Sequence, residues 1–242
     1  MEIGIIGLGR MGSNMSRRLA RGGVRVTAYD QDRGQRDALT GEVGVEVVES
    51  LAAVAAQMTG ERVVLMMLPA GDATKTTLQE LVPLLSAGDT VVDGANAYYK
   101  DSMARALDLS QRGLRFIDAG VSGGIHGLDN GHCLVLGGTP KSIEIFGRGP
   151  ERGWLHCGPS GAGHFAKMIH NGIEYGMMQA YAEGFALLRA RSDLGFDLGR
   201  LAETWGHGSV IRSWLLELCS EILRHDEDLS QVAPIVPDSG EG

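Results

Sequence analysis

The chain has 242 residues, of which 22 are Lys or Arg and 30 are Asp or Glu, giving a formal net charge of -8. That length can bury a sizeable core in one large or two modest domains, and the acidic balance argues against a nucleic-acid or anionic-membrane surface. Cys133, Cys157 and Cys219 are odd in number and form no C-x-x-C pair, so neither a disulfide framework nor a metal site is expected. No basic segment or cleavable apolar run opens the chain, and its most apolar stretch, Val63 to Leu68 before Pro69, is far too short to cross a bilayer. A soluble, cytoplasmic protein without nucleic-acid or membrane partners is expected.

From residue 2 to about residue 158, short apolar runs alternate with amphipathic segments, the pattern of βαβ units and a parallel sheet. Strands are predicted at Glu2–Ile6, Val24–Tyr29, Arg62–Met67, Thr90–Asp93, Arg115–Asp118, His132–Leu136 and Trp154–His156. Between the first two, Met11, Met15 and Leu19 recur every fourth residue, giving the buried stripe of a helix that Gly22-Gly23 ends. Helices are also predicted over 72–85 and 101–111. After Gly163 the strand-like runs stop, and helical segments follow over 163–192, 197–206 and 210–225. The expected fold is therefore α/β, a Rossmann-type doubly wound sheet over residues 1–160, followed by an all-α part over 161–242. The polar tail from Asp226 to Gly242 has two prolines and no helical period, and reads as a disordered end or as sequence cut off mid-domain.

Gly7-Leu8-Gly9-Arg10-Met11-Gly12 fits G-x-G-x-x-G, and it lies between a predicted strand and a predicted helix, which gives a weak pattern its force. The first glycine permits a tight turn, the second admits a pyrophosphate close to the backbone, and the third lets helix pack on strand. Free N–H groups and a partial positive charge at the helix start suit phosphate. Asp30, at the end of the second strand, can accept both ribose hydroxyls but would repel a 2′-phosphate, which favours NAD as cofactor. Arg33 nearby leaves room for NADP, and an N-cap role for Asp30 is the alternative. Met67 and Leu68, at the end of the strand Arg62–Met67, complete the expected cofactor contacts with Asn96.

The segment Gly163 to Tyr175 carries Lys167, His170, Asn171 and Glu174 at i, i+3, i+4 and i+7, so all four share one helix face. An amine, an imidazole, an amide and a carboxylate there make either a solvated face or an active-site wall. Two loops strengthen the second reading: Asp93 to Ser102, with Asn96, and Gly120-Val121-Ser122-Gly123-Gly124. Both follow predicted strands, where doubly wound sheets gather ligand-binding loops.

Together these segments resemble the decarboxylating 6-phosphogluconate dehydrogenases. The family's V-D-G-x-N-x-x-Y-x-D, G-V-S-G-G and G-H-F-x-K-M-x-H-N-G-I-E-Y motifs stand at Val92–Asp101, Gly120–Gly124 and Gly163–Tyr175. The chain most resembles the shorter, often NAD-linked branch. The resemblance implies oxidation of 6-phosphogluconate, a sugar-acid phosphate, to ribulose 5-phosphate and carbon dioxide without a metal. It implies Lys167 as the base at the C3 hydroxyl, with burial beside the cofactor lowering its pKa, and Glu174 as the proton donor to C1 of the enediol. Asn96, Ser122, Gly123, Gly124, His170 and Asn171 would hold the substrate, with Tyr175 and Arg212 on its phosphate. On sequence alone Arg212 could equally be a solvated helix charge. A homodimer or higher homo-oligomer is implied if the helical domain is complete. The family's helical domain runs past residue 242, and Asp238 to Gly242 looks like the opening of a further motif, so a truncated chain is expected. The nearest rival is a β-hydroxyacid dehydrogenase or reductase acting on 3-hydroxyisobutyrate or tartronate semialdehyde, which would not explain Glu174-Tyr175 or the Asn96 loop. A non-catalytic nucleotide-binding remnant is the alternative from another class.

Overall fold

The computed structural model describes residues 1–146, 153–233 and 235. The elements run β1 (Glu2–Ile6), α1 (Arg10–Arg21), β2 (Arg25–Tyr29), α2 (Arg33–Asp37), β3 (Val45–Val47), α3 (Leu51–Gln57), β4 (Val63–Met66), α4 (Asp72–Leu81) and β5 (Thr90–Asp93). They continue with α5 (Tyr99–Gln111), β6 (Arg115–Ser122), α6 (Gly127–Asn130), β7 (Cys133–Gly138), α7 (Pro140–Ile143), β8 (Trp154–Gly158), α8 (Ala162–Ala190), α9 (Leu198–Gly206) and α10 (Trp214–His225). The chain forms two compact units, Met1–Ile169 and His170–Gly242, with α8 contributing residues to both.

In the first unit the strands form one sheet in the order β3-β2-β1-β4-β5-β6-β7-β8, whose first six places are the 3-2-1-4-5-6 order of a dinucleotide-binding sheet. Successive residues of its strands face opposite sides, as the period of two requires. Ile3 and Ile5 of β1, with Val63 and Leu65 of β4, enter one buried cluster with Met15 of α1. Ile6, Val64 and Met66 enter another, with Val54 of α3, Leu81 of α4 and Leu109 of α5. Both faces are therefore covered, which is what a parallel sheet needs.

The structure departs from the predicted elements in several places. The sheet is mixed, because β7 runs antiparallel to β6. The connection between them is too short to hold a long crossover, and an antiparallel partner needs none. The short edge strand β3 pairs with β2, and α3 follows it; neither has a long enough period to stand out in sequence. The last helix begins at Trp214, after a turn in which the Arg212 amide donates to the Ser209 carbonyl at 3.2 Å.

In the second unit α9 and α10 bury Leu198, Ala202, Leu216 and Leu223. Both start on side-chain caps: Asp197 accepts from the Arg200 amide and Ser213 from the Leu216 amide. Beyond α10 the Asp226 carboxylate accepts from the amides of Ser230 and Gln231, at 2.9 and 2.8 Å. The Asp238 to Gly242 motif lies outside the described residues. Among the described residues no helix is long and apolar enough to cross a membrane.

Candidate active site

The loop Gly7 to Gly12 follows β1 at the point where the strand order reverses between β1 and β4. The Gly7 amide donates to the Tyr29 carbonyl, and the Met67 amide donates to the Ile6 carbonyl, binding the loop to the ends of β2 and β4. A Cβ at Gly12 would lie 1.9 Å from the Gly7 carbonyl oxygen, whereas one at Gly9 would meet nothing within 4 Å. Gly12 is thus required by packing and Gly9 is not. The start of α1 has no side-chain cap, so its first N–H groups are available to an anion. A cleft of about 300 Å³ opens beside it, lined by Gly9, Arg10, Ser13, Asn14, Arg17 and Gln35 among others.

Asp30 closes the far side of this loop. One carboxylate oxygen accepts from the Leu8 amide at 2.7 Å and the other from the Asp32 amide at 2.8 Å. The N-cap of α2 is Asp32, which accepts from the Gly34 amide, so the capping role considered for Asp30 falls to its neighbour. Arg33 is exposed and pairs with Asp37 at 3.4 Å.

At the end of β5, Asp93 is wholly buried; it accepts from the Ala95 amide at 3.1 Å and from Arg105 at 2.7 Å. This anchors the turn that presents the half-buried Asn96. Lys100, in the same motif, has its pKa raised, chiefly by a hydrogen bond to Tyr98. Its ammonium lies 5.7 Å from the centre of the Tyr98 ring and stays a cation. At the end of β6, Ser122 is half-buried, and beyond it Gly123 and Gly124 adopt φ of 121° and 51°, values that L side chains rarely take.

Lys167 is 8% exposed. Its Cβ sits where a side chain at Gly120 would be, 2.5 Å from a Cβ built there, and a Cβ at Gly163 would be 2.4 Å from the Asp118 carbonyl oxygen. These two glycines let the start of α8 lie directly on β6. The structure thus places Lys167 over β6, the strand that ends at Ser122. Further along α8, in the second unit, Asn171 is 3% exposed and its side-chain oxygen lies 3.2 Å from His170 Nδ1. The same His170 nitrogen lies 3.7 Å from the Glu174 carboxylate. Tyr175 and Arg212 are exposed; Arg212 stands in the turn before α10, not on a helix.

Sequence reading passed over Asp118, Ser102 and His164. All three are buried polar groups; Asp118 accepts from the amides of Gly161 and His164, and Ser102 Oγ lies 2.7 Å from His164 Nδ1. The one signal was an aspartate inside an otherwise apolar strand. Among the described residues no group of three or more His, Cys, Asp or Glu is arranged to hold a metal ion.

Residues 2–147 match the NAD binding domain of 6-phosphogluconate dehydrogenase, and residues 163–241 match that enzyme's C-terminal domain. A relative from Haloferax volcanii, named as an NAD(+)-dependent, decarboxylating 6-phosphogluconate dehydrogenase, is 42% identical over 242 residues, covering 96% of this chain and 78% of the relative. Among solved structures, Plasmodium falciparum 6-phosphogluconate dehydrogenase superposes with a TM-score of 0.86 at 24% identity, over 100% of this chain and 56% of that one. Mycobacterium tuberculosis 3-hydroxyisobutyrate dehydrogenase superposes with a TM-score of 0.72 at 26% identity, over 88% of this chain and 72% of that one.

Proposed function

Because this chain belongs to the 6-phosphogluconate dehydrogenase family, we propose that it oxidises 6-phosphogluconate at C3 and releases C1 as carbon dioxide, leaving ribulose 5-phosphate. The observation that carries this reading is the lysine on α8: Lys167 is buried, seated over Gly120, and one helix face carries it with His170, Asn171 and Glu174.

The residues around the glycine loop fit a dinucleotide, since Gly9 faces open space and the uncapped start of α1 offers N–H groups. Leu8, Arg10 and Met11 with Gly7, Gly9 and Gly12 would hold its pyrophosphate, Asp30 its ribose hydroxyls, and Met67, Leu68 and Asn96 its nicotinamide end. Asp30 favours NAD over NADP by charge. When bound, the nicotinamide supplies the hydride acceptor for C3.

Lys167 would take the C3 hydroxyl proton as the C3–H bond breaks. The product is a β-keto acid, and the protonated Lys167 would polarise its ketone oxygen while the bond to C1 breaks and carbon dioxide leaves. The electron pair goes to an enediol, whose C1 would receive a proton from Glu174. Asn96, Ser122, Gly123, Gly124, His170 and Asn171 would hold the hydroxyls and carboxylate, and Tyr175 with Arg212 the phosphate. Two titrating groups one heptad apart suit proton transfers at two different carbons. The exposed apolar side chains of Ile173, Met178 and Leu187 on α8 support a homo-oligomer.

The fold by itself is shared with a 3-hydroxyisobutyrate dehydrogenase, so the test is decarboxylation. With [1-13C]6-phosphogluconate and NAD, labelled carbon dioxide should appear in step with NADH and ribulose 5-phosphate. NADH formed from 3-hydroxyisobutyrate, or NADH consumed by tartronate semialdehyde, with no NADH from 6-phosphogluconate, would assign the rival chemistry. Cofactor binding without turnover of any of these would leave a nucleotide-binding protein.

A further inference from the structure

The start of α8 is held by a group that takes no part in the chemistry above. Asp118, in the middle of β6, is 0% exposed. One of its carboxylate oxygens accepts from the Gly161 amide at 2.7 Å, and the other accepts from the His164 amide at 2.9 Å. The carboxylate fills the space that a side chain at Gly137 on the adjacent strand would need, since a Cβ built there would lie 2.4 Å from one of its oxygens. Charge-assisted bonds of this kind are short, strong and directional. From the other side, Ser102 of α5, also 0% exposed, fixes the His164 ring through Nδ1. The ring is 2% exposed, and its Nε2 has no hydrogen-bond partner among the described residues. A buried, half-satisfied imidazole costs free energy, so His164 is not placed there by stability alone.

Geometry connects this anchor to Lys167. Asp118 and Gly120 lie on the same face of β6, two residues apart, and His164 and Lys167 lie three residues apart on α8. Asp118 holds the amide of His164, and Gly120 receives Lys167. Strand and helix are thus in register at two successive points, with Ser122 the next residue on that face of β6.

We propose that Asp118, with the Ser102–His164 pair, is the positioning group for Lys167: it clamps the first turn of α8 to β6 and thereby sets where the amine stands. The proposal rests on the reading of Lys167 as the base at C3. Asp118 touches neither substrate nor cofactor in this account and is not a catalytic residue.

Asp118→Asn replaces one acceptor oxygen with an amide N–H that faces a backbone N–H, releasing one end of the clamp. Turnover of 6-phosphogluconate should fall about tenfold to a hundredfold, the cost of a misplacement on the ångström scale, while the KM for NAD stays unchanged. The deuterium isotope effect on kcat with C3-deuterated substrate should rise as hydride transfer becomes rate-limiting. Ser102→Ala removes a single hydroxyl and should show the same changes to a smaller degree, and it carries the test if Asp118→Asn folds poorly. A readout independent of turnover is the rate at which acetic anhydride modifies Lys167, measured by peptide mass spectrometry against Lys75 and Lys141. That rate should rise in both variants. If kcat falls only with the folded fraction, and the isotope effect and Lys167 modification match the unmodified sequence, the clamp is structural and the proposal is overturned. If the unmodified chain does not turn over 6-phosphogluconate at all, the functional reading fails, and the modification rate still decides the role of Asp118.

Discussion

Helices α1 and α8 both begin in the first unit, each beside an aspartate in or directly after a strand, and they differ in what that aspartate leaves free. At α1, Asp30 bonds the Leu8 amide ahead of the helix, and the helix start itself has no side-chain cap. At α8, Asp118 is fully buried and occupies the amides of both Gly161 and His164. A helix start with free N–H groups attracts an anion, and one already matched to a carboxylate does not. On the functional reading proposed above, the first would serve as a binding element and the second as a rigid mount for side chains further along. From this contrast follows a separation of effects: substitutions at α1 should change cofactor affinity, and substitutions along α8 should change the chemical steps.

The largest effect expected in this set is at Glu174. Glu174→Gln should lower overall turnover by about a hundredfold to ten-thousandfold, the range of general acid catalysis, and slow exchange of the C1 proton of ribulose 5-phosphate. Unchanged exchange would remove Glu174 from the protonation step. NAD affinity should not move; if it does, the separation between the two helices is blurred.

At α1 the informative change is Gly9→Ala, because a Cβ there meets no protein atom within 4 Å. The melting temperature should shift by no more than about 4 °C, while NAD affinity falls about tenfold to a hundredfold because the methyl occupies the space a pyrophosphate needs. Titration calorimetry with an unchanged Kd would mean that the open space beside Gly9 is not where cofactor binds. A smaller change is expected for Asp30→Asn, which should narrow the preference for NAD over NADP by about tenfold, the scale of one charged hydrogen bond. A preference for NADP in the unmodified chain would contradict the role given to Asp30.

The contrast between α1 and α8 also marks what could be read in the sequence. The glycine loop, its strand and Asp30 lie within one local unit, so the turn between β1 and α1 and the place of Asp30 beside it could be read from their spacing. The stripe on α8 was legible for the same reason, since helical periodicity places Lys167 and Glu174 on one face. Asp118 was hidden because its partners Gly161 and His164 are 43 and 46 residues away in the chain, a pairing that only the packing of α8 on β6 creates. The antiparallel turn of β7 was missed because an apolar strand carries no mark of its direction. The cap of α2 fell to Asp32 because Asp30 is held by the Leu8 and Asp32 amides, a competition that spacing cannot decide.

Lys167→Met removes the amine and keeps an unbranched side chain of similar length in the space over Gly120. The decisive measurement is NAD affinity and 6-phosphogluconate turnover on one preparation of this variant. The account predicts an unchanged Kd for NAD with turnover reduced at least about a thousandfold; turnover within tenfold of the unmodified chain would contradict it.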